Sequence, residues 1–253
     1  MASTSLCRSI FITGCNRGLG LEFVKQFLKL SPPPEHIFAT CRDLNAKSCE
    51  ELKQLASENS NVCLVELDVT EFERIKGVAQ EVSDKLQGKG LNVLLNNAGI
   101  IFREPSIEDV TVEMMVDHYK VNTVAPLMIT QAFLPLLKKA ATDPEEKSYI
   151  KAAVLNMSSL VGSLTNYKKG VRYPYRASKS ALNSVTKSMS VDLKPFGIIS
   201  VVLDPGWVRT DMGGEQAPLA ASESVSGMME VIKSLDESKN GMWLDYKGDI
   251  TPW

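Results

Sequence analysis

Short apolar runs and amphipathic stretches alternate along almost the whole chain. Ser9–Ile12, Ile37–Thr40, Val62–Leu67, Leu91–Leu95, Ala152–Met157, Ile198–Leu203 and Met242–Tyr246 read as strands. Between them, Leu21, Val24, Phe27 and Leu28 recur at helical spacing. Lys47–Ala56, Phe72–Leu86, Met114–Leu137 and Tyr175–Leu193 carry helical patterns too. Pro32-Pro33-Pro34 stops the first helix, and Gly88 with Gly90 closes the third. This alternation predicts an α/β fold, a doubly wound, mostly parallel seven-stranded sheet of Rossmann type. One domain spans residues 1–253, because no stretch reads as a linker, a repeat or a low-complexity segment. Ligands in such sheets bind beyond the carboxyl ends of the strands, so the chemistry is to be sought there.

Composition narrows the function classes. The 253 residues are 44% apolar and 23% charged, with a net charge of −2, which is ordinary for a globular protein and gives no basic excess for nucleic acid. No run of 18 apolar residues predicts a membrane span, and Met1–Arg8 does not read as a signal peptide. With only His36 and His118, neither a HExxH pair nor a three-histidine metal site can be assembled, so no metal is expected. The five cysteines are odd in number and lack a CxxC, as expected of reduced thiols in the cytoplasm.

The strand ends carry the informative residues. The first ends in Thr13-Gly-Cys-Asn-Arg-Gly-Leu-Gly20, with glycines spaced GxxxGxG before a helix. Such a turn lets backbone approach a pyrophosphate, and the helix start offers it free N–H groups. No GK[ST] follows, so it is not a P-loop. The second strand ends in Cys41-Arg42-Asp43. Arg42, with Arg17, suits a ribose 2′-phosphate and so NADP(H); Asp43 could instead be a ribose-binding carboxylate or a cap. Tyr175-Arg-Ala-Ser-Lys179 puts a phenol and an ammonium on one helix face. A neighbouring positive charge is expected to lower the phenol pKa and make Tyr175 a general acid for a carbonyl oxygen. Ser159 ends the preceding strand and could hold that oxygen; Ser158 is the adjacent candidate, expected to point to the other face.

These motifs together resemble the short-chain dehydrogenase/reductase family over almost the whole chain, and most closely the carbonyl reductases of the Sniffer type. The resemblance implies a cofactor loop at Gly14, Asn16, Arg17, Gly18, Leu19 and Gly20, and adenine contacts at Asp68 and Val69. It implies cofactor contacts at Asn96, Ala98 and Gly99 of the Asn-Asn-Ala-Gly motif, and at Pro205, Gly206, Val208 and Thr210 after the sixth strand. It implies a catalytic set of Asn122, Ser159, Tyr175 and Lys179, with Lys179 holding the nicotinamide ribose and Asn122 linking Lys179 to a proton-relay water. The stretch from 160 to 174 is longer than in many relatives and carries Lys168, Lys169 and Arg172.

The expected activity is NADPH-dependent reduction of aldehydes, ketones or quinones. The alternatives are an NAD-linked alcohol or steroid dehydrogenase and a non-catalytic NADP(H) sensor. Residues 206–225 read as a lid, and Phe102, Trp207 and Met212 as walls of an apolar substrate pocket. His36 and His118 are given no role. A small-molecule carbonyl substrate is the expected partner, with a homodimer or homotetramer implied by the resemblance.

Overall fold

The computed structural model describes residues 5–102, 106–165 and 170–253. Its strands are β1 (Ser9–Ile12), β2 (His36–Cys41), β3 (Val62–Glu66), β4 (Val93–Asn96), β5 (Ala153–Met157), β6 (Ile199–Asp204) and β7 (Trp243–Asp245). They form one sheet in the order β3-β2-β1-β4-β5-β6-β7. Every pairing is parallel, so the sheet is wholly parallel rather than mostly so. Helices cover both faces, which is why the central strands are continuous apolar runs. One apolar core packs Phe23, Val24 and Phe27 with Val225 and Met228 against one face. The other packs Phe11, Ile75, Ile129 and Phe133 against the opposite face. Phe11 and Phe133 lie 4.4 Å apart between ring centres.

The helices are α1 (Gly18–Leu28), α2 (Glu50–Glu58), α3 (Phe72–Lys85), α4 (Val112–Tyr119), α5 (Ala125–Thr142), α6 (Tyr173–Leu193) and α7 (Ala221–Lys233). The stretch predicted as one helix from Met114 to Leu137 is divided by a π-helical turn at Lys120–Val124. Such a turn wraps one extra residue and re-aims its side chains, here placing Asn122 and Thr123 inside. The segment predicted as a lid divides as well. Residues 206–220 form a loop, but 221–225 open α7, whose inner face carries the fully buried Val225.

The order of strands reverses between β1 and β4, and a crevice opens at that switch point. Thr13 ties its two sides together. The Thr13 hydroxyl accepts the N–H groups of Asn97 and Ala98, each at 2.9 Å.

Candidate active site

A cleft of about 920 Å³ runs along the carboxyl ends of the strands. The glycine loop forms one end. The first turn of α1 begins at Arg17 without a side-chain cap and without an acidic residue. Its N–H groups therefore face the cleft with no competing carboxylate, as an anion at a helix start requires. A Cβ on Gly20 would stand 2.1 Å from the Gly14 carbonyl oxygen, so only glycine lets the helix pack this close to the turn. These features fit the pyrophosphate of a dinucleotide.

Asn16, Arg17, Gly18 and Leu19 line this end, facing Arg42 and Asp43. Arg42 is exposed and faces into the cleft. Arg17 is engaged with Asp211 of the loop after β6. Asp43 accepts the Asn45 N–H at 2.7 Å and so caps a local turn rather than a helix, while still lining the cleft. Asp68 does the same for Thr70, accepting its N–H at 2.9 Å and its hydroxyl at 2.7 Å. Val69, Ala98, Gly99, Pro205 and Thr210 also line the cleft.

Four of the expected cofactor residues do not. Asn96 points into the helical layer, where its amide donates to Asn156 Oδ1 at 2.8 Å. Its neighbour Asn97 lines the cleft instead and donates to the Thr13 carbonyl at 2.9 Å. One residue along a strand reverses the face, which accounts for the exchange. Gly20 lies under the loop, Val208 is buried against Leu219, and Gly206 forms the turn behind Pro205.

The other end of the cleft holds the titratable groups. Tyr175 and Lys179 project from α6 and both line the cleft, with 8% and 4% of their surface exposed. The Ser159 side chain, at the end of β5, acts on the Tyr175 phenol and eases loss of its proton. Ser158 also borders the cleft, its hydroxyl donating to Asn183 Oδ1 at 2.7 Å. Lys179 Nζ donates to the Met157 carbonyl at 2.8 Å and stands 5.7 Å from the Tyr175 ring centre. Asn122 is fully buried. Its amide bridges Ile100 and Ser178, accepting the Ile100 N–H at 2.9 Å and donating to the Ile100 carbonyl and the Ser178 hydroxyl at 3.0 Å each. A Cβ on Gly99 would meet Asn122 Oδ1 at 3.2 Å and Lys179 Nζ at 3.7 Å, so Gly99 fills the space between them. The Asn122 side chain thus holds the Ile100 backbone and the Ser178 hydroxyl near Lys179.

The electrostatics differ from the expected lowering of the phenol pKa. Burial pushes Tyr175 up to about 12, the Ser159 side chain opposes this, and the Asp204 carboxylate adds to it. Burial brings Lys179 down to about 8, against the pull of Asp204. Desolvation is the largest influence on both groups, because each charged form loses water on burial.

Two residues at this end escaped the sequence reading. His118 is fully buried; its Nδ1 lies 2.7 Å from the Met114 carbonyl and its Nε2 accepts the Phe102 N–H at 3.1 Å. Its ring meets Phe102 edge-on at 4.7 Å and Tyr175 at 6.4 Å. Burial lowers its pKa, and the neutral ring fits both bonds. Asp204, at the end of β6, is also buried.

Of the expected pocket walls, Phe102 and Met212 line the cleft, and the Tyr175 hydroxyl lies 4.0 Å from Met212 Sδ. Trp207 does not line it: its indole N–H donates to the Gly213 carbonyl at 2.8 Å and closes the loop on itself. Beyond Ser159 the chain is tied to the tail, Ser163 donating to the Pro252 carbonyl at 2.7 Å. Lys168 and Lys169 lie outside the described residues; Arg172 opens α6 in a left-handed conformation.

The family model for short chain dehydrogenase matches residues 8–219. The chain belongs to this family. The dehydrogenase is similar to carbonyl reductase Sniffer of D. melanogaster, with 43% identity, a TM-score of 0.93, and 98% of this chain covering 100% of that one. An NADPH-bound carbonyl reductase from chicken fatty liver is 43% identical, with a TM-score of 0.92 over 98% of this chain and 99% of that one. C-signal of Myxococcus xanthus is 40% identical over 163 residues, 64% of this chain and 93% of that protein. Among the described residues of the dehydrogenase, no helix is long and apolar enough to cross a membrane.

Proposed function

We propose that this dehydrogenase is an NADPH-dependent carbonyl reductase acting on aldehydes, ketones or quinones. One arrangement carries the reading: the Tyr175 phenol, eased by the Ser159 side chain at the end of β5, stands at one end of the cleft with Lys179 beside it, while Arg17 and Arg42 stand at the other. The likeness to two carbonyl reductases, one of them described as NADPH-bound, supports it.

NADPH, when bound, supplies the hydride. The first turn of α1 receives its pyrophosphate, and Arg17 and Arg42 receive the 2′-phosphate, whose geometry suits guanidinium. Ser159 and Tyr175 donate hydrogen bonds to the substrate carbonyl oxygen. Tyr175 Oη then gives its proton to that oxygen as negative charge develops there. Fixed donors aimed at such charge supply a large part of catalysis. A phenol held at about 12 keeps its proton through the neutral range, as a general acid must. Lys179 adds positive charge beside the site while its ammonium persists. Asn122 fixes the Ile100 backbone and the Ser178 hydroxyl beside Lys179, and Phe102 with Met212 offers apolar surface to the substrate. Residues 206–220 serve as the lid.

We place the protein in the cytoplasm, on its five free thiols, and as a homo-oligomer. Val112, Val116 and Tyr119 form an exposed apolar row on α4, and light scattering tests the association. The deciding experiment for the activity follows oxidation of NADPH and of NADH with a quinone, a dicarbonyl and an aromatic aldehyde. Turnover favouring NADPH supports the reading. Tight NADPH binding with every carbonyl inert overturns it in favour of a sensor, and faster alcohol oxidation with NAD makes it a dehydrogenase of the opposite direction.

A further inference from the structure

His118 lies in the last turn of α4, and Asn122 in the π-helical turn that follows. Both are fully buried. Both spend polar atoms on the stretch after the Asn-Asn-Ala-Gly motif, which belongs to no strand or helix. Asn122 takes the N–H and the carbonyl of Ile100, at 2.9 and 3.0 Å. His118 Nε2 takes the N–H of Phe102, at 3.1 Å. The two side chains do for this stretch what a neighbouring strand would do, since backbone polar groups near the interior need partners.

The partners of His118 fix where its proton sits. The Met114 carbonyl, 2.7 Å from Nδ1, can only accept, so Nδ1 carries the hydrogen. The Phe102 N–H can only donate, so Nε2 stays bare. The neutral ring alone satisfies both. An imidazolium would set a second N–H against that of Phe102 and break the bond. The same ring packs edge-on against Phe102, with centres 4.7 Å apart, and against Tyr175, at 6.4 Å. Charge reaches it from Asp117, its neighbour on α4, which favours the imidazolium, and from Lys179 on α6, which opposes it. Tyr175, the other titratable group on α6 beside the ring, keeps its proton through the neutral range. Burial is the largest influence and holds the ring neutral to lower pH than usual.

We propose that His118 is a positioning residue for the substrate side of the cleft: its bare Nε2 holds the Phe102 N–H and so sets Phe102 as the wall that an aromatic carbonyl substrate meets near Tyr175. The inference rests on the reading of this cleft as a carbonyl reductase site. Phe102 lines the cleft. Without the imidazole acceptor its N–H would be left unpaired, and the wall would shift to find a partner.

The chain has two histidines, so 15N imidazole spectra of the histidine-labelled protein show two rings, and His36→Gln assigns them. At neutral pH the His118 ring should show a protonated Nδ1 and a bare Nε2. A bare Nδ1, or an imidazolium, overturns the proposal with no substrate involved. Two variants then separate the two bonds. The amide oxygen of His118→Gln reaches where Nε2 stands and accepts the Phe102 N–H at every pH. The shorter side chain of His118→Asn keeps a donor near Met114 and leaves that N–H without an acceptor. Exchange of the Phe102 amide proton should quicken in His118→Asn and stay near the wild-type rate in His118→Gln. His118→Asn should raise KM for an aromatic aldehyde by at least about fivefold. Its kcat, and its KM for a small aliphatic aldehyde, should stay within a factor of about two. His118→Gln should keep the wild-type KM. As pH falls and Nε2 takes a proton, the wild type should drift toward the Asn variant, and His118→Gln should not. The imidazole spectrum and the wild-type drift stand even where a variant does not fold. Equal losses on both aldehydes, or a folded Gln variant no better than Asn, overturn the proposal. A Phe102 amide that exchanges as expected in all three proteins, none of which reduces a carbonyl, would keep the His118–Phe102 bond and reject the reductase reading instead.

Discussion

Arg17 of the glycine loop is ion-paired with Asp211 of the loop that follows β6, so the glycine loop and the segment 206–220 hold one another across the cleft. Both side chains are more than half exposed, at 64% and 69%. Such a pair is worth about 0.2–1 kcal/mol. It competes with any phosphate for the same guanidinium. Asp211→Asn should therefore tighten NADPH binding, by up to about fivefold on that energy, and leave NADH nearly unchanged. Fluorescence titration of both cofactors measures it. Equal tightening of the two would place Arg17 away from the 2′-phosphate.

Arg42 provides a sharper test of cofactor choice. It is exposed at the end of β2 and faces the cleft with no carboxylate paired to it among the ion pairs of the described residues. Arg42→Asp replaces attraction for a 2′-phosphate with repulsion and offers a carboxylate to a ribose hydroxyl. The ratio of kcat/KM for NADPH over NADH should fall by at least about tenfold, equivalent to about 1.4 kcal/mol. A constant ratio would assign discrimination to Arg17 alone.

Tyr175→Phe removes the proposed proton donor and keeps the ring; the described residues that act on the phenol oxygen include Ser159 and the Met212 sulfur. Loss of general acid catalysis costs about 10²–10⁴ in rate. Turnover should fall by that order while the NADPH dissociation constant stays within a factor of about two, which is near RT in energy. Stopped-flow reading of the hydride step separates this from slow product release. Near-normal turnover would remove Tyr175 from the mechanism.

The parts of this site that the sequence made legible are those written in consecutive residues. Thr13–Gly20 and Tyr175–Lys179 each bring their chemistry together within a turn or a helix face, so spacing alone places them. The strand-helix alternation placed the sheet for the same reason. What depends on packing between distant segments did not show. His118 gains its place from a bond to Phe102 across a loop. The exchange of Asn96 for Asn97 turned on a single step of strand register, and a Trp after Pro205-Gly206 reads as a pocket wall until its N–H is seen on Gly213. The phenol misled in another way: proximity to Lys179 was in the sequence, but the depth of burial was not.

That depth has a measurable consequence at Lys179. Its folded pKa, about 8, lies below the ordinary 10.5 because burial penalises the ammonium. The unfolded chain therefore holds the proton more tightly between those values, so stability rises with pH across that window, and below about 8 the full penalty is present and does not change with pH. A neutral side chain of similar length escapes the penalty. Lys179→Met should thus show an advantage over the wild type that is constant below pH 8 and disappears as pH approaches 10.5. The full linkage is on the order of 3 kcal/mol. The unpaired Met157 carbonyl offsets part of it, by about 1–3 kcal/mol at every pH. The difference between the two urea-unfolding free energies, followed from pH 7 to 10.5, isolates the titrating part. A difference that stays flat would mean Lys179 is not desolvated. A falling difference, in a variant without turnover, would identify the ammonium as a charge kept at the expense of stability for the chemistry beside Tyr175.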